Sequence, residues 1–241
     1  EFAEYRFFAR SPNLVLVDTT VVAQAPTRFL VSGMGDALAT WFEARTAAAT
    51  YRQAMSGGLP TSAALSLARL CYETLLEYGL AARLASQQRA ITPAFERIVE
   101  ANTLLSGLGF ESGGLAAAHG IHNGLTALPQ THNAYHGEKV AVGTIAQLLL
   151  ENRPMGEVYE VIDFALSVGL PVGFGDIATA HTGKDDLRRA AELAVAPGET
   201  THNEPFTVTP EMVVDALLAA DSLGRARKQV VGHPEPLRRV A

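Results

Sequence analysis

Apolar residues recur at intervals of three and four positions over almost all of the chain after Asp18. In the longest such stretch, residues 61–88, one helical stripe would carry Leu67, Leu70, Cys71, Thr74, Leu75 and Tyr78. This spacing follows the 3.6-residue turn of an α-helix and does not fit a strand, whose side chains alternate with a period of two. The pattern therefore predicts a mainly α fold.

Proline and glycine indicate where these helices begin and end. Pro26 predicts a helix to about residue 48, and Thr92 followed by Pro93 predicts an N-cap and a helix to about residue 106. The remaining predicted helices cover residues 113–127, 136–151, 154–167, 184–196 and 210–228. Loops are expected at residues 129–135 and 169–175.

Two short apolar runs near the start of the chain differ from the rest. Residues 5–8 and 14–17 predict strands, separated by the turn signal Ser11-Pro12-Asn13. Two strands alone form only a marginal sheet. We therefore expect them to belong to a sheet whose other strands lie upstream, in a longer protein from which this chain, lacking an initiator Met, is cut.

Composition excludes several classes of protein. With 48% apolar and 18% charged residues the chain is globular, and its net charge of −6 disfavours binding to nucleic acid. The single cysteine, Cys71, cannot form an internal disulfide, which fits a reducing compartment. No apolar run is long enough to cross a membrane, and the first residues do not form a signal peptide. We expect a cytoplasmic protein.

Four of the seven histidines fall within eighteen residues: His119, His122, His132 and His136. His119 and His122 are three positions apart and share a helix face. The alanines and glycines around them permit close approach of neighbouring backbones. His119 and His136 come from two successive predicted helices and could converge on a metal ion, which a carboxylate would complete.

Asp36 is a candidate for that carboxylate. It lies in an apolar, glycine-flanked helical segment, where an unpaired charge would be costly. On the residues alone, Asp36 could equally be a helix N-cap or form an ion pair with Arg28 or Arg45. Structural roles for the histidines also remain open at this point.

Other conspicuous residues fit simpler roles. The glycine-rich stretch of residues 107–114 resembles a dinucleotide-binding loop, but it follows a predicted helix instead of a strand. A helix-to-helix turn accounts for it better. Cys71 and the aromatic residues Phe29, Trp41 and Phe42 are expected in the core.

Four longer segments, residues 33–44, 100–114, 116–124 and 135–140, closely resemble the glycerol dehydrogenase family of the iron-containing alcohol dehydrogenase superfamily. The resemblance runs from about residue 1 to residue 228. It implies an N-terminal α/β domain that binds NAD, an all-helical, dehydroquinate synthase-like metal domain, and an active site between them.

In these terms the chain divides into three parts. Residues 1–25 are expected to be a remnant of the N-terminal nucleotide-binding domain, residues 26–229 the all-helical metal-binding domain, and residues 230–241 a loose tail. The glycine-rich pyrophosphate loop of the family has no equivalent here. The resemblance thus implies a fragment that lacks the main NAD site and is inactive alone.

The resemblance also implies a set of site residues. Asp36, His119 and His136 correspond to the metal ligands, and Phe110 to a residue beside the cofactor and substrate. Iron-type relatives have a histidine where this chain has Thr40, which favours zinc, with Fe²⁺ as the alternative metal. His122 corresponds to a neighbour of the site that does not bind the metal.

The implied reaction is oxidation of glycerol to dihydroxyacetone with NAD⁺, with other 1,2-diols as possible substrates, in an enzyme that is often a homo-oligomer. A metal with three protein ligands keeps a position for the alcohol oxygen and lowers its pKa. One alternative is a catalytically silent metal-binding module that pairs with a separate nucleotide-binding chain. Another, a metal-dependent phosphohydrolase, is disfavoured because adjacent His-Asp ligands are missing.

Overall fold

A computed structural model of the protein describes residues 11–179 and 182–231. In chain order its α-helices are α1 (Thr19–Gln24), α2 (Thr27–Ala49), α3 (Ser62–Gln87), α4 (Pro93–Glu100), α5 (Ser106–Gly113), α6 (Ala117–Thr126), α7 (His136–Leu150), α8 (Met155–Val168), α9 (Phe174–Ile177), α10 (Lys184–Ala194) and α11 (Pro210–Val231). A π-helical segment, Ala101–Leu105, joins α4 to α5, and 3₁₀ turns occupy Pro129–Thr131 and Thr200–Asn203. The predicted mainly α fold is confirmed.

Several helix starts follow the local signals in the sequence. The side-chain oxygen of Thr61 accepts a hydrogen bond from the backbone of Ala64 at the start of α3. Thr92 caps α4 in the same way, through the backbone N–H of Phe95. These caps satisfy N–H groups that have no partner within the helix. None of the helices in the described ranges combines the length and apolarity that a membrane crossing requires.

The predicted strand at residues 14–17 is wrong. This segment has no regular secondary structure, and Leu14 and Leu16 are 75% and 85% exposed. A strand needs a neighbouring strand to satisfy its backbone groups, and the described residues contain none. The other predicted strand, residues 5–8, lies outside the described residues.

Three predicted helix boundaries also need correction. The helix expected to end near residue 106 continues through the π-helical segment and α5 to Gly113. The next helix begins at Ala117 and not at residue 113. The last helix extends to Val231, so the first two residues of the predicted tail are helical, and residues 232–241 lie outside the described ranges.

Helix α7 lies between two hydrophobic cores. On one side Ile145 packs in a cluster with residues of α2, α3, α4 and α8, including Phe42, Leu75 and Phe95. On the other side Val142 packs with residues of α6, α10 and α11, including Ile121. Because α7 contributes to both clusters, burial of apolar surface fixes it between the two halves of the bundle.

Some of the predicted core residues are buried and others are exposed. Cys71 and Phe42 are fully buried, as predicted. Phe29 is wrong as a core residue, since it is 51% exposed, and Trp41 is only partly buried against the core. Phe29 instead packs edge-on against the ring of Tyr135 at the surface, with 5.3 Å between the ring centroids.

Helices α2 and α7 cross at two glycines. A Cβ atom added to Gly137 would lie 1.8 Å from the carbonyl oxygen of Ser32, and one added to Gly35 would lie 2.4 Å from the carbonyl oxygen of Gly137. The two backbones are therefore in direct contact, which only glycine permits. The contact brings the next residue of α2, Asp36, beside the first residue of α7, His136.

Candidate metal centre

The side chains of Asp36, His119 and His136 meet where α2, α6 and α7 come together. Asp36 Oδ1 lies 3.1 Å from His136 Nε2 and 3.3 Å from His119 Nε2. One carboxylate oxygen and two imidazole nitrogens, all within 4.8 Å of one another, could hold a metal ion. The structure thus brings together the three residues that the sequence analysis proposed as ligands.

The three side chains differ in their exposure to solvent. The side chain of His119 is 9% exposed, whereas those of Asp36 and His136 are 40% and 48% exposed. The cluster is consequently closed on the side of α6 and open on the side of α2 and α7.

A small apolar cluster supports the site. Ala39, Ala118 and Val140 are fully buried against one another. Each lies within one helical turn of a site residue on its own helix. Their short side chains allow α2, α6 and α7 to approach closely enough for the three ligand atoms to meet.

Both alternative roles of Asp36 are wrong. The residue lies well inside α2, which begins at Thr27, and so does not cap that helix. Arg28 instead pairs with Glu138, and Arg45 with Glu157. The packed surroundings alone would raise the pKa of Asp36, but hydrogen bonds and charge from the two site histidines outweigh this and lower it.

Glu43, which the sequence analysis missed, contacts His119 at Nδ1, the ring nitrogen that faces away from Asp36. Its side chain is fully buried, and its Oε2 lies 2.6 Å from His119 Nδ1. Its Oε1 accepts hydrogen bonds from the backbone N–H groups of Ala116 and His119. Glu43 follows Asp36 by seven residues, two helical turns, so the two carboxylates share one face of α2. That spacing was the signal that could have found it.

The two carboxylates determine the charge of His119. Burial alone would lower the pKa of this imidazole, but the charges of Glu43 and Asp36 and their hydrogen bonds raise it to about 10. Without a metal the ring is therefore protonated at neutral pH. A metal ion that binds His119 Nε2 must displace a proton, so metal affinity falls as the pH is lowered.

The first turn of α6, which carries His119, is capped by side chains from distant parts of the chain. Besides Glu43, the backbone N–H of Ala117 donates to Glu204 and that of Ala118 donates to Gln147. Each of these three side chains is buried. They satisfy the N–H groups that begin a helix and explain why α6 starts at Ala117.

Two further aromatic residues border the cluster. The ring centroid of His122 lies 4.1 Å from that of His136, and His122 Nδ1 contacts the side-chain oxygen of Asn123. Burial, together with the nearby His136 and His119, lowers the pKa of His122 to about 3, so this ring is neutral. Phe110 is half-buried, with its ring 6.2 Å from that of His119.

Two residues that the sequence analysis considered, His132 and Thr40, lie apart from the ligand atoms. His132 is exposed and contacts the carbonyl oxygen of Thr126. The hydroxyl of Thr40 lies 3.0 Å from that of Ser106 in the interior between α2 and α5. Neither contributes to the cluster.

Comparison with known proteins extends over nearly the whole chain. It is 55% identical over 230 residues to glycerol dehydrogenase of Thermotoga maritima, covering 95% of this chain and 63% of that protein. It is 54% identical over 225 residues to glycolaldehyde reductase of Halobacterium salinarum, covering 93% and 62%. The chain thus spans about three fifths of the length of these curated relatives. No protein-family model matches it.

Solved structures give the same relationship. Glycerol dehydrogenase of Schizosaccharomyces pombe superposes with a TM-score of 0.94 at 39% identity, covering 98% of this chain and 61% of that one. An iron-containing alcohol dehydrogenase of Thermococcus thioreducens superposes with a TM-score of 0.65 at 15% identity, covering 85% and 53%. At that identity the likeness shows the fold alone.

The helical bundle therefore has the fold found in iron-containing alcohol dehydrogenases. Within that fold, more than half of the aligned residues of this chain are identical to those of curated relatives. The chain is similar to glycerol dehydrogenases, with 53–55% identity to three of them over 93–95% of its length.

Proposed function

We propose that residues 26–229 are the metal-binding domain of a polyol dehydrogenase. The net reaction would be glycerol plus NAD⁺ to dihydroxyacetone, NADH and a proton, with related 1,2-diols as further substrates. The observation that carries the proposal is the convergence of Asp36, His119 and His136 within 4.8 Å. The names of the relatives support the choice of a polyol as substrate.

The donor atoms fit a divalent metal of intermediate hardness. Two imidazole nitrogens and one carboxylate oxygen suit zinc, and Fe²⁺ accepts the same set. We favour zinc because Thr40, which offers no imidazole, occupies the position one turn after Asp36. When bound, the metal would polarise the alcohol oxygen of the substrate and lower its pKa.

The residues of the chain have distinct parts in this proposal. Asp36, His119 and His136 bind the metal, and the buried side of the cluster, at His119, excludes water. The open side, at Asp36 and His136, admits the alcohol. We assign Phe110 to the border of the substrate and cofactor site, because its half-buried ring lies next to His119.

We propose that the main contacts to NAD⁺ come from outside the all-helical domain of residues 26–229. Helix α5, residues 106–113, includes all of the glycine-rich stretch except Gly114. A dinucleotide-binding loop would instead connect a strand to a helix, and residues 11–179 and 182–231 include no strand. We therefore expect negligible dehydrogenase activity from the chain alone.

Metal analysis tests the site. The purified chain should contain about one zinc or iron ion per molecule, and His119→Ala should lose it, because a buried ligand is removed. His132→Ala is the matched control, since this exposed histidine lies outside the cluster and its loss should leave the metal content unchanged. Metal content at the wild-type level in His119→Ala would contradict the ligand assignment.

An activity measurement tests the reaction. Glycerol-dependent formation of NADH should be undetectable for the chain alone and should appear when the N-terminal part of the Thermotoga maritima relative is fused before it. Robust activity of the chain alone would overturn the assignment of NAD binding. A fused protein that retains its metal but lacks activity would favour the alternative, a silent metal-binding module.

Homo-oligomerisation and a cytoplasmic location remain predictions. The first is measured by size-exclusion chromatography with light scattering on the full chain. A monomer at micromolar concentration would contradict it.

A further inference from the structure

Glu43 contacts the candidate ligand His119 on the side away from the other two ligands. Its carboxylate is held in one orientation, because Oε1 accepts the backbone N–H groups of Ala116 at 2.9 Å and of His119 at 3.0 Å. The second oxygen, Oε2, then points at His119 Nδ1 from 2.6 Å. The side chain is fully buried, so water does not compete for these contacts.

An ionised carboxylate accepts hydrogen bonds and cannot donate them. With Oε2 against Nδ1, the proton of the imidazole must lie on Nδ1. The other ring nitrogen, Nε2, faces Asp36 at 3.3 Å, and it is the nitrogen that gives up its proton when a metal binds. Partners of this kind fix the tautomer and the ring orientation of metal-binding histidines.

We infer that Glu43 is a positioning residue that presents Nε2 of His119 to the metal. This inference rests on the proposed metal-binding function and deepens it. Glu43 itself is not a ligand, since it contacts His119 through the nitrogen that faces away from Asp36. Its effect on the metal passes through the imidazole ring.

Glu43→Gln tests the inference with almost no change in shape. The amide oxygen of glutamine can still accept the two backbone N–H groups, while its NH₂ group replaces Oε2 and donates to Nδ1. The ring proton would then move to Nε2 and oppose metal binding. We expect a loss of zinc affinity of about 10- to 100-fold, measured by competition with a chromogenic chelator.

Glu204→Gln is the matched control. Glu204 is also a buried glutamate that accepts a backbone N–H at the start of α6, that of Ala117, but it does not contact an imidazole. If the role of Glu43 were only to cap α6, both variants should change zinc affinity alike. We expect Glu204→Gln to stay within about twofold of the wild type, and Glu43→Asp, which keeps the charge, to recover part of the lost affinity.

A second measurement uses the unaltered chain and does not depend on how well a variant folds. In the zinc-loaded protein labelled with ¹⁵N-histidine, long-range ¹H–¹⁵N correlation should show His119 protonated at Nδ1. Protonation at Nε2 would overturn the inference, as would wild-type zinc affinity in a folded Glu43→Gln protein. If the wild-type chain itself binds no zinc, the proposed metal site fails first and the role of Glu43 fails with it.

Discussion

Helices α6 and α7 both carry a site histidine in their first turn, but their starts are stabilised in opposite ways. At α7 the cap is local: Glu138 accepts the backbone N–H of Tyr135, three residues before it. At α6 the caps Gln147, Glu43 and Glu204 are 29, 73 and 87 residues away from the N–H groups they accept. The start of α6 therefore forms only when the bundle is assembled, whereas α7 contains its own start signal.

The two site histidines differ in the same way as the starts of their helices. His119 is enclosed by charged and polar groups from several elements, so its orientation depends on the tertiary structure. His136 stands at the surface, and the backbone contact at Gly137 fixes its position. One histidine is held by side-chain hydrogen bonds and the other by the path of the main chain.

The largest loss of stability is expected from a substitution at Gly137, where the backbones of α2 and α7 are in contact. Gly137→Ala would place Cβ against the carbonyl oxygen of Ser32, which cannot move aside as a flexible side chain would. We expect the free energy of unfolding, measured with urea, to fall by more than about 4 kcal/mol.

Gly107→Ala is the control for this substitution. A Cβ atom at Gly107, in α5, would meet nothing within 4 Å. Removing a flexible glycine from a helix should therefore stabilise the chain by about 0.5–1 kcal/mol. A Gly137→Ala protein as stable as the wild type would show that α7 is not positioned by the glycine contact.

A smaller effect is expected from the buried caps of α6. Burial and the nearby Glu151 raise the pKa of Glu204 to about 8 in the folded chain, well above its ordinary value. Above the ordinary pKa the unfolded chain gives up this proton while the folded chain retains it. Stability should thus fall as the pH rises from 5 to 8, by up to about 4 kcal/mol, and level off above pH 8.

Urea unfolding of the wild type and Glu204→Gln at several pH values isolates this contribution. The amide does not titrate, so the difference between the two proteins should shrink or reverse toward pH 8. Other groups contribute equally to both proteins. Parallel stability profiles from pH 5 to pH 8 would mean that Glu204 is ionised throughout.

The smallest effect is expected at the local cap of α7. Arg28 Nε and Nη2 each lie 2.6 Å from an oxygen of Glu138, and both side chains are 12% exposed. Arg28→Ala leaves Glu138 without this partner, and we expect a loss of about 1–3 kcal/mol. Zinc affinity should change little, because the backbone contact at Gly137 remains.

Arg97→Ala provides the comparison for Arg28. Arg97 pairs with Glu100 one turn away on the surface, with side chains 61% and 44% exposed. Such pairs contribute roughly 0.5 kcal/mol or less. Equal losses of stability in the two variants would show that the cap of α7 gains nothing from its partial burial.

The contrast between the local cap of α7 and the distant caps of α6 explains which helix starts could be predicted from the sequence. The start of α7 at His136 was predicted correctly, because its signal lies in neighbouring residues. The start of α6 was predicted four residues too early. Gly114 adopts a left-handed φ of 92°, and the next residues turn their N–H groups toward distant carboxylates.

The candidate site shows the same division. Asp36, His119 and His136 could be selected from histidine density and family resemblance, and the structure brings them together. Glu43 was not selected, because its seven-residue spacing from Asp36 places it on the same helix face but does not show that its carboxylate is buried. Its role depends on a contact with a residue 76 positions away.

The contact between Gly35 and Gly137 also restricts how this site can diverge. Any side chain at either position would separate α2 from α7, and with them Asp36 from His136. A substitution at the opening of the site, such as at the half-buried Phe110, leaves this contact intact. Substitutions there would be expected to change which molecules can reach the cluster more readily than the arrangement of Asp36, His119 and His136.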